Sequence, residues 1–205
     1  MFAIFKREFK AYFQSVIGWL FVAALLAVYG LYFYVYNLMQ GYPYVYYSLS
    51  AITFILLIAV PILTMRSFAE DRKNKTDQLT LTAPVSIGKI VFGKYLAMVA
   101  VFTIDIAIFA ISPLILRAFG TVPMGESYIS ILAFWLYGCA SIAVGMFISA
   151  LTESQVIAAV LSFAALFISY MMGGITNVIS SSGNLLTKIL SCFDLYAPFD
   201  NFSGG

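Results

Sequence analysis

Charge is what this sequence has least of. Only 10% of its 205 residues are Asp, Glu, Lys or Arg, while 62% are hydrophobic. That is too little polarity to cover a water-soluble domain of this length. Histidine is missing altogether, which excludes imidazole general bases and His-ligated metal sites. The two cysteines, Cys139 and Cys192, stand far apart and match no metal-ligand spacing. Cys139 lies in an apolar run, where a thiol packs as a small hydrophobe. There is no Gly-x-x-x-x-Gly-Lys-Ser/Thr loop, so no nucleotide is expected on this chain and any ATP-driven role needs an ATPase elsewhere. The net charge of +2 offers no basic footprint for nucleic acid, and none is expected as a partner. The apolar start is too long for a cleavable signal peptide and has no clear small-residue cleavage site.

What is present is a series of long apolar runs. Five are marked, at about Val16–Tyr36, Tyr44–Met65, Tyr95–Leu116, Ile129–Leu151 and Val156–Ile179. Each approaches or exceeds the roughly 20 residues that cross a hydrocarbon core as a helix. The runs are continuous and not alternating, which argues against a transmembrane barrel. The expected fold is therefore an all-α polytopic membrane protein with the lipid bilayer as its solvent.

Lys and Arg placement predicts the orientation. Lys6, Arg7 and Lys10 precede the first run, and Arg66, Arg72, Lys73, Lys75, Lys89 and Lys94 lie between the second and third. Arg117 and Lys188 fall on the opposite side. The N-terminus and the 66–94 segment are expected in the cytoplasm, and an odd number of spans places the C-terminus outside. Tyrosines ending the first run and opening the second read as an outer interfacial belt, with a substrate-binding aromatic patch as the alternative.

Phe2, Phe5, Phe9, Tyr12 and Phe13 recur at helical spacing, predicting an amphipathic helix at the inner interface that bends into the first span at Ser15–Gly18. The 66–94 segment is a polar island between two spans. Glu70-Asp71-Arg72-Lys73 forms a charge cluster. Thr76 and Asp77 offer capping oxygens for a short helix through Gln78, Leu79 and Leu81. Pro84 stops it, because it restricts the residue before it and donates no hydrogen bond. Ser86 is placed to cap the helix leading into the third span. Leu79, Leu81 and Val85 then have no lipid core to enter and must meet protein.

This pattern resembles the signature of ABC-2 type transporter permeases. In that family an acidic-basic cluster precedes a Thr-x-Glu/Gln-Leu segment and a Pro-Val-Ser/Thr turn. The gliding-motility-associated and nitrous-oxide-reductase-accessory branches are the most similar, and the span order matches over essentially the whole chain. The resemblance implies a single transmembrane domain over residues 1–205, whose family counterpart has six spans. The last of these is absent here, and the Pro198–Gly204 stretch resembles the segment before it. It also implies a second permease subunit, as a homo- or heterodimer, and cytoplasmic ABC ATPase subunits carrying ATP and Mg. Thr76–Val85 would be the coupling helix seated in the ATPase, and the N-terminal helix the elbow helix.

Several residues inside the runs stand out. Asp105 is expensive in hydrocarbon and should face protein or water, either as a polar point on a translocation path or as a protonated or hydrogen-bonded interhelical contact, for instance to a Ser, Thr or Tyr. Ser141, Gly145 and Ser149 repeat every fourth position, a spacing that lets helices approach closely. Pro61 is expected to kink the second span. Glu153 reads as a cap of the fifth span or an ATPase contact. Beyond the fifth span, Leu185, Leu186, Ile189, Leu190 and Phe193 form an apolar face. The expected function is a non-catalytic permease subunit, an exporter driven by its ATPase partner. An intramembrane enzyme would need a partner acid or base for Asp105, and none is evident. An ion-coupled carrier or scaffold is the remaining alternative.

Overall fold

The computed structural model describes residues 2–69 and 86–179, and every element in them is helical. Helix α1 (Phe2–Gln14) is followed after Ser15 by α2 (Val16–Tyr32), which runs into a π-helical segment at Phe33–Met39. Next come α3 (Tyr46–Thr64), α4 (Ile87–Phe109), the short α5 (Ser112–Arg117), α6 (Met124–Leu151) and α7 (Gln155–Ile179). Five stretches are long and apolar enough to cross a membrane: Val16–Met39, Tyr46–Thr64, Ile87–Arg117, Met124–Leu151 and Gln155–Met172.

The third and fourth spans begin earlier than their apolar runs. The third starts at Ile87, not Tyr95, because the helix carries Lys89 and Lys94 on its first turns. The fourth starts at Met124, not Ile129, with Glu126 in the first turn, where a carboxylate complements the exposed amides. The first extends past Tyr36 to Met39.

α1 turns into α2 within one residue. Its last carbonyls are met locally: the Ser15 hydroxyl donates to Tyr12 O at 3.0 Å and the Trp19 indole to Phe13 O at 2.9 Å. Gly18 makes the turn fit, since a Cβ there would sit 2.4 Å from Tyr12 O. Phe2, Phe5, Phe9, Phe13 and Trp19 form a continuous ring ladder with centroids 5.0–6.1 Å apart. Tyr12, at the edge of the same face, is buried and donates to Leu63 O at 3.3 Å.

α3 is the central helix, packed against α2, α6 and α7, while α4 packs against α1, α2 and α6. α3 continues past Pro61 to Thr64, whose hydroxyl reaches back to Val60 O at 3.0 Å. Between α2 and α3 the chain is closed by Asn37, which is buried. Its amide donates to Tyr42 O at 2.8 Å and Tyr44 O at 3.0 Å, and its carbonyl accepts from the Ser48 hydroxyl. The π-helical ladder, seen in Gln40 N to Val35 O, turns Asn37 inward to make these bonds.

α4 ends at Phe109 for a chemical reason. Pro113 has no N–H to give to Phe109 O, and the Ser112 hydroxyl takes that carbonyl instead at 2.7 Å. Tyr29 bonds the same hydroxyl and stacks on Phe109 at 3.9 Å. The break thus fastens spans one and three near their shared end.

Candidate functional site

The residues expected to contact an ATPase, namely Glu70, Asp71, Thr76, Asp77, Gln78, Leu79, Leu81, Pro84 and Val85, lie outside the described residues. So does the apolar face Leu185–Phe193. What the structure places are the two roots of the loop that carries the first set, Met65–Ala69 at its start and α4 at its end.

Both roots are held by side chains from other helices. Lys94 is buried on the third turn of α4. Its ammonium donates to Ser67 O at 2.6 Å, lies 3.8 Å from a Glu8 carboxylate oxygen on α1, and sits 5.1 Å over the Phe68 ring. A buried cation needs a partner set of this kind, because desolvation without one is costly. Glu8 also pairs with the exposed Arg7 at 2.8 Å. The amphipathic α1 is therefore bound to both ends of the loop through one charged junction.

Ser149, near the end of α6, holds the same root from the opposite side. Its hydroxyl donates to Met65 O at 3.2 Å and accepts from Phe68 N and Ala69 N, each at 3.3 Å. One hydroxyl, with one hydrogen and two lone pairs, meets three main-chain groups at the turn after α3. Two turns up the same face, Ser141 donates to Tyr137 O at 2.9 Å within its own helix. Between them Gly145 lies against α3, and a Cβ there would come 2.5 Å from the Thr64 hydroxyl oxygen. Gly138 belongs to the same close seam, since a Cβ would enter the Phe102 ring at 2.2 Å. The stripe faces α3 and α4 of its own chain, and its one-turn extension to Gly138 had a sequence signal in Gly138-x-x-Ser141.

Asp105 is fully buried, and neither carboxylate oxygen has a hydrogen-bond partner among the described residues. Of the readings open for it, the hydrogen-bonded interhelical contact is not formed among these residues. Asp105 shares its helix face with Phe102 and Phe109, whose rings lie 6.0 and 6.3 Å from Phe134 of α6. Ser86 occupies the N-cap position of α4 in extended conformation but makes no side-chain cap bond. Glu153 is exposed, and it is the Ser154 carbonyl that receives the first bond of α7, from Ala158 N at 2.9 Å. Among the described residues no group of His, Cys, Asp and Glu is arranged to hold a metal ion.

Five apolar helical spans, with Glu8 and Tyr12 of α1, the turn after α3, Lys94 of α4 and Ser149 of α6 in contact with one another, define a multi-pass membrane protein whose α3–α4 connection is braced at both flanks. A family model described as ABC-2 family transporter protein matches residues 34–203, and the chain belongs to that family. The chain is thus a membrane permease component of an ABC transporter. Its family is one of transmembrane, generally non-catalytic subunits and implies an ABC ATPase partner. No curated protein and no solved structure matches it.

Proposed function

We propose that this chain is the permease of an exporter in which the loop after α3 seats in a cytoplasmic ATPase, with Thr76–Val85 as the contact. The observation that carries the reading is the bracing of the loop's roots. Lys94, Glu8 and Ser149 tie the loop's start to α1, α4 and α6 at once. A surface loop with no mechanical role has no need of a buried lysine at its base.

In this reading the loop and the N-terminus are cytoplasmic, as the clustering of Lys and Arg before α2 and between α3 and α4 favours. ATP and Mg sit on the ATPase, and closure of two ATPases moves two such loops, so a second permease subunit completes the transporter. The 1–205 chain acts as one transmembrane domain, of the gliding-motility or nitrous-oxide-accessory type by its loop signature. Asp105 serves as a polar point within the bundle.

The test is co-purification of the permease with its ATPase. Charge reversal at Glu70 and Asp71, or Leu79→Asp, is expected to weaken ATPase association while membrane insertion stays intact. Full association and full ATP-driven transport in these variants would refute the coupling role.

A further inference from the structure

We infer that the groove between α1 and α4 is a binding site for an anionic phospholipid, with one acyl chain in the groove and the headgroup held by Lys6 and Lys10. The inference needs only that the helices span a membrane and is independent of any ATPase.

The groove has a volume of about 640 Å³ and is lined by Phe2, Phe5, Leu96, Val99, Ala100 and Thr103. Among the described residues its one polar side chain is already satisfied. The Thr103 hydroxyl donates to Val99 O at 2.7 Å and accepts from the Trp135 indole at 3.0 Å. The occupant must therefore be apolar along its length. From Leu96 to Thr103 the groove follows α4 for about 10 Å at about 1.5 Å per residue. One leaflet supplies about 15 Å of hydrocarbon, half of the roughly 30 Å core. The groove therefore suits the upper part of one acyl chain.

The charge beside it selects the headgroup. Lys6 and Lys10 are both exposed, four residues apart on one flank of α1, and Lys6 stands one turn after the groove residue Phe2. Neither lysine has a hydrogen bond or ion pair among the described residues, whereas the neighbouring Arg7 is engaged by Glu8. Two exposed cations without a partner among the described residues, on the helix that forms one wall of the apolar groove, favour a phosphate with net negative charge over a zwitterionic lipid. A free phosphate would leave the groove unfilled.

The chain carries its own probe. It has two tryptophans, and Trp135 is bonded to a groove residue. In a Trp19→Phe background, the full chain is reconstituted into phosphatidylcholine vesicles containing a small fraction of either phosphatidylglycerol or phosphatidylcholine brominated on the acyl chain. Brominated phosphatidylglycerol is expected to quench Trp135 several-fold more per mole. Lys6→Gln with Lys10→Gln should make the two lipids equal, Lys6→Arg with Lys10→Arg should keep the preference, and Ala100→Phe should reduce quenching by both. Equal quenching with the native lysines would mean ordinary surrounding lipid and would overturn the proposal. So would a preference that survives the Gln pair, or absent quenching together with cross-linking between two permease copies across the groove.

Discussion

Lys94 donates to the carbonyl of Ser67 at 2.6 Å, so one side chain bridges the helix that leaves the loop and the turn that enters it. The same ammonium lies 3.8 Å from Glu8. The turn after α3, the start of α4 and the N-terminal helix are thus joined at one point around the buried Lys94.

Replacing that lysine tests the junction. Lys94→Met removes the donor to the carbonyl of the buried Ser67 and one of the two cations beside the half-buried Glu8, a change worth about 1.5–3 kcal/mol for a bond to a charged group. Thermal unfolding of the purified chain should fall accordingly. Lys94→Arg, which keeps the charge, should recover part of the loss, and proteolysis within the loop should be faster in the Met variant than in the Arg variant.

Ser149→Ala leaves Met65 O, Phe68 N and Ala69 N without the hydroxyl that meets them. The expected cost is about 1–3 kcal/mol. The sharper readout is hydrogen exchange, with the amides of Phe68 and Ala69 exchanging faster while those in the middle of α3 are unchanged.

Gly145→Ala pushes a methyl against the Thr64 side chain, whose Oγ1 would be 2.5 Å away. Overpacking of this kind costs about 1–3 kcal/mol. Thr64→Ala in the same chain removes the opposing atoms and should restore much of the loss, whereas Thr64→Ala combined with Gly138→Ala should not, because Gly138 faces Phe102.

Asp105→Leu removes a buried carboxyl that has no partner among the described residues. The melting temperature is expected to rise by an amount equivalent to about 1–3 kcal/mol, with Asp105→Asn gaining less. Transport should fall in both variants if the carboxyl serves the translocation path. A lower melting temperature in Asp105→Leu would show that the acid is bonded in the assembled transporter.

The spans were legible because hydropathy over some 20 residues is a strong signal, and only their ends moved. The apolar run of the third span starts at Tyr95, but the helix expected to lead into it from Ser86 is continuous with it and begins at Ile87; its Lys94 finds a carbonyl and a carboxylate and so carries its charge inside. The close seam of Ser141, Gly145 and Ser149 was visible in their spacing. The bonds of Ser149 were not, since they reach a main chain some 80 residues away in sequence. Asn37 gave no signal beyond being a polar residue at the end of an apolar run. Its inward turn depends on the π-helical geometry at Phe33–Met39, which no periodicity of side chains announces. Of the candidate contact, only the roots are described, and the Glu70–Val85 stretch rests on its motif.

The most direct measurement of the central claim is site-specific photocross-linking from position 79. A benzophenone amino acid in place of Leu79, activated in membranes containing the assembled transporter, should join this chain to its ATPase, and the yield should change on adding ATP. Cross-links to lipid or to a second permease alone, unchanged by ATP, would contradict the assignment of the loop as the ATPase contact.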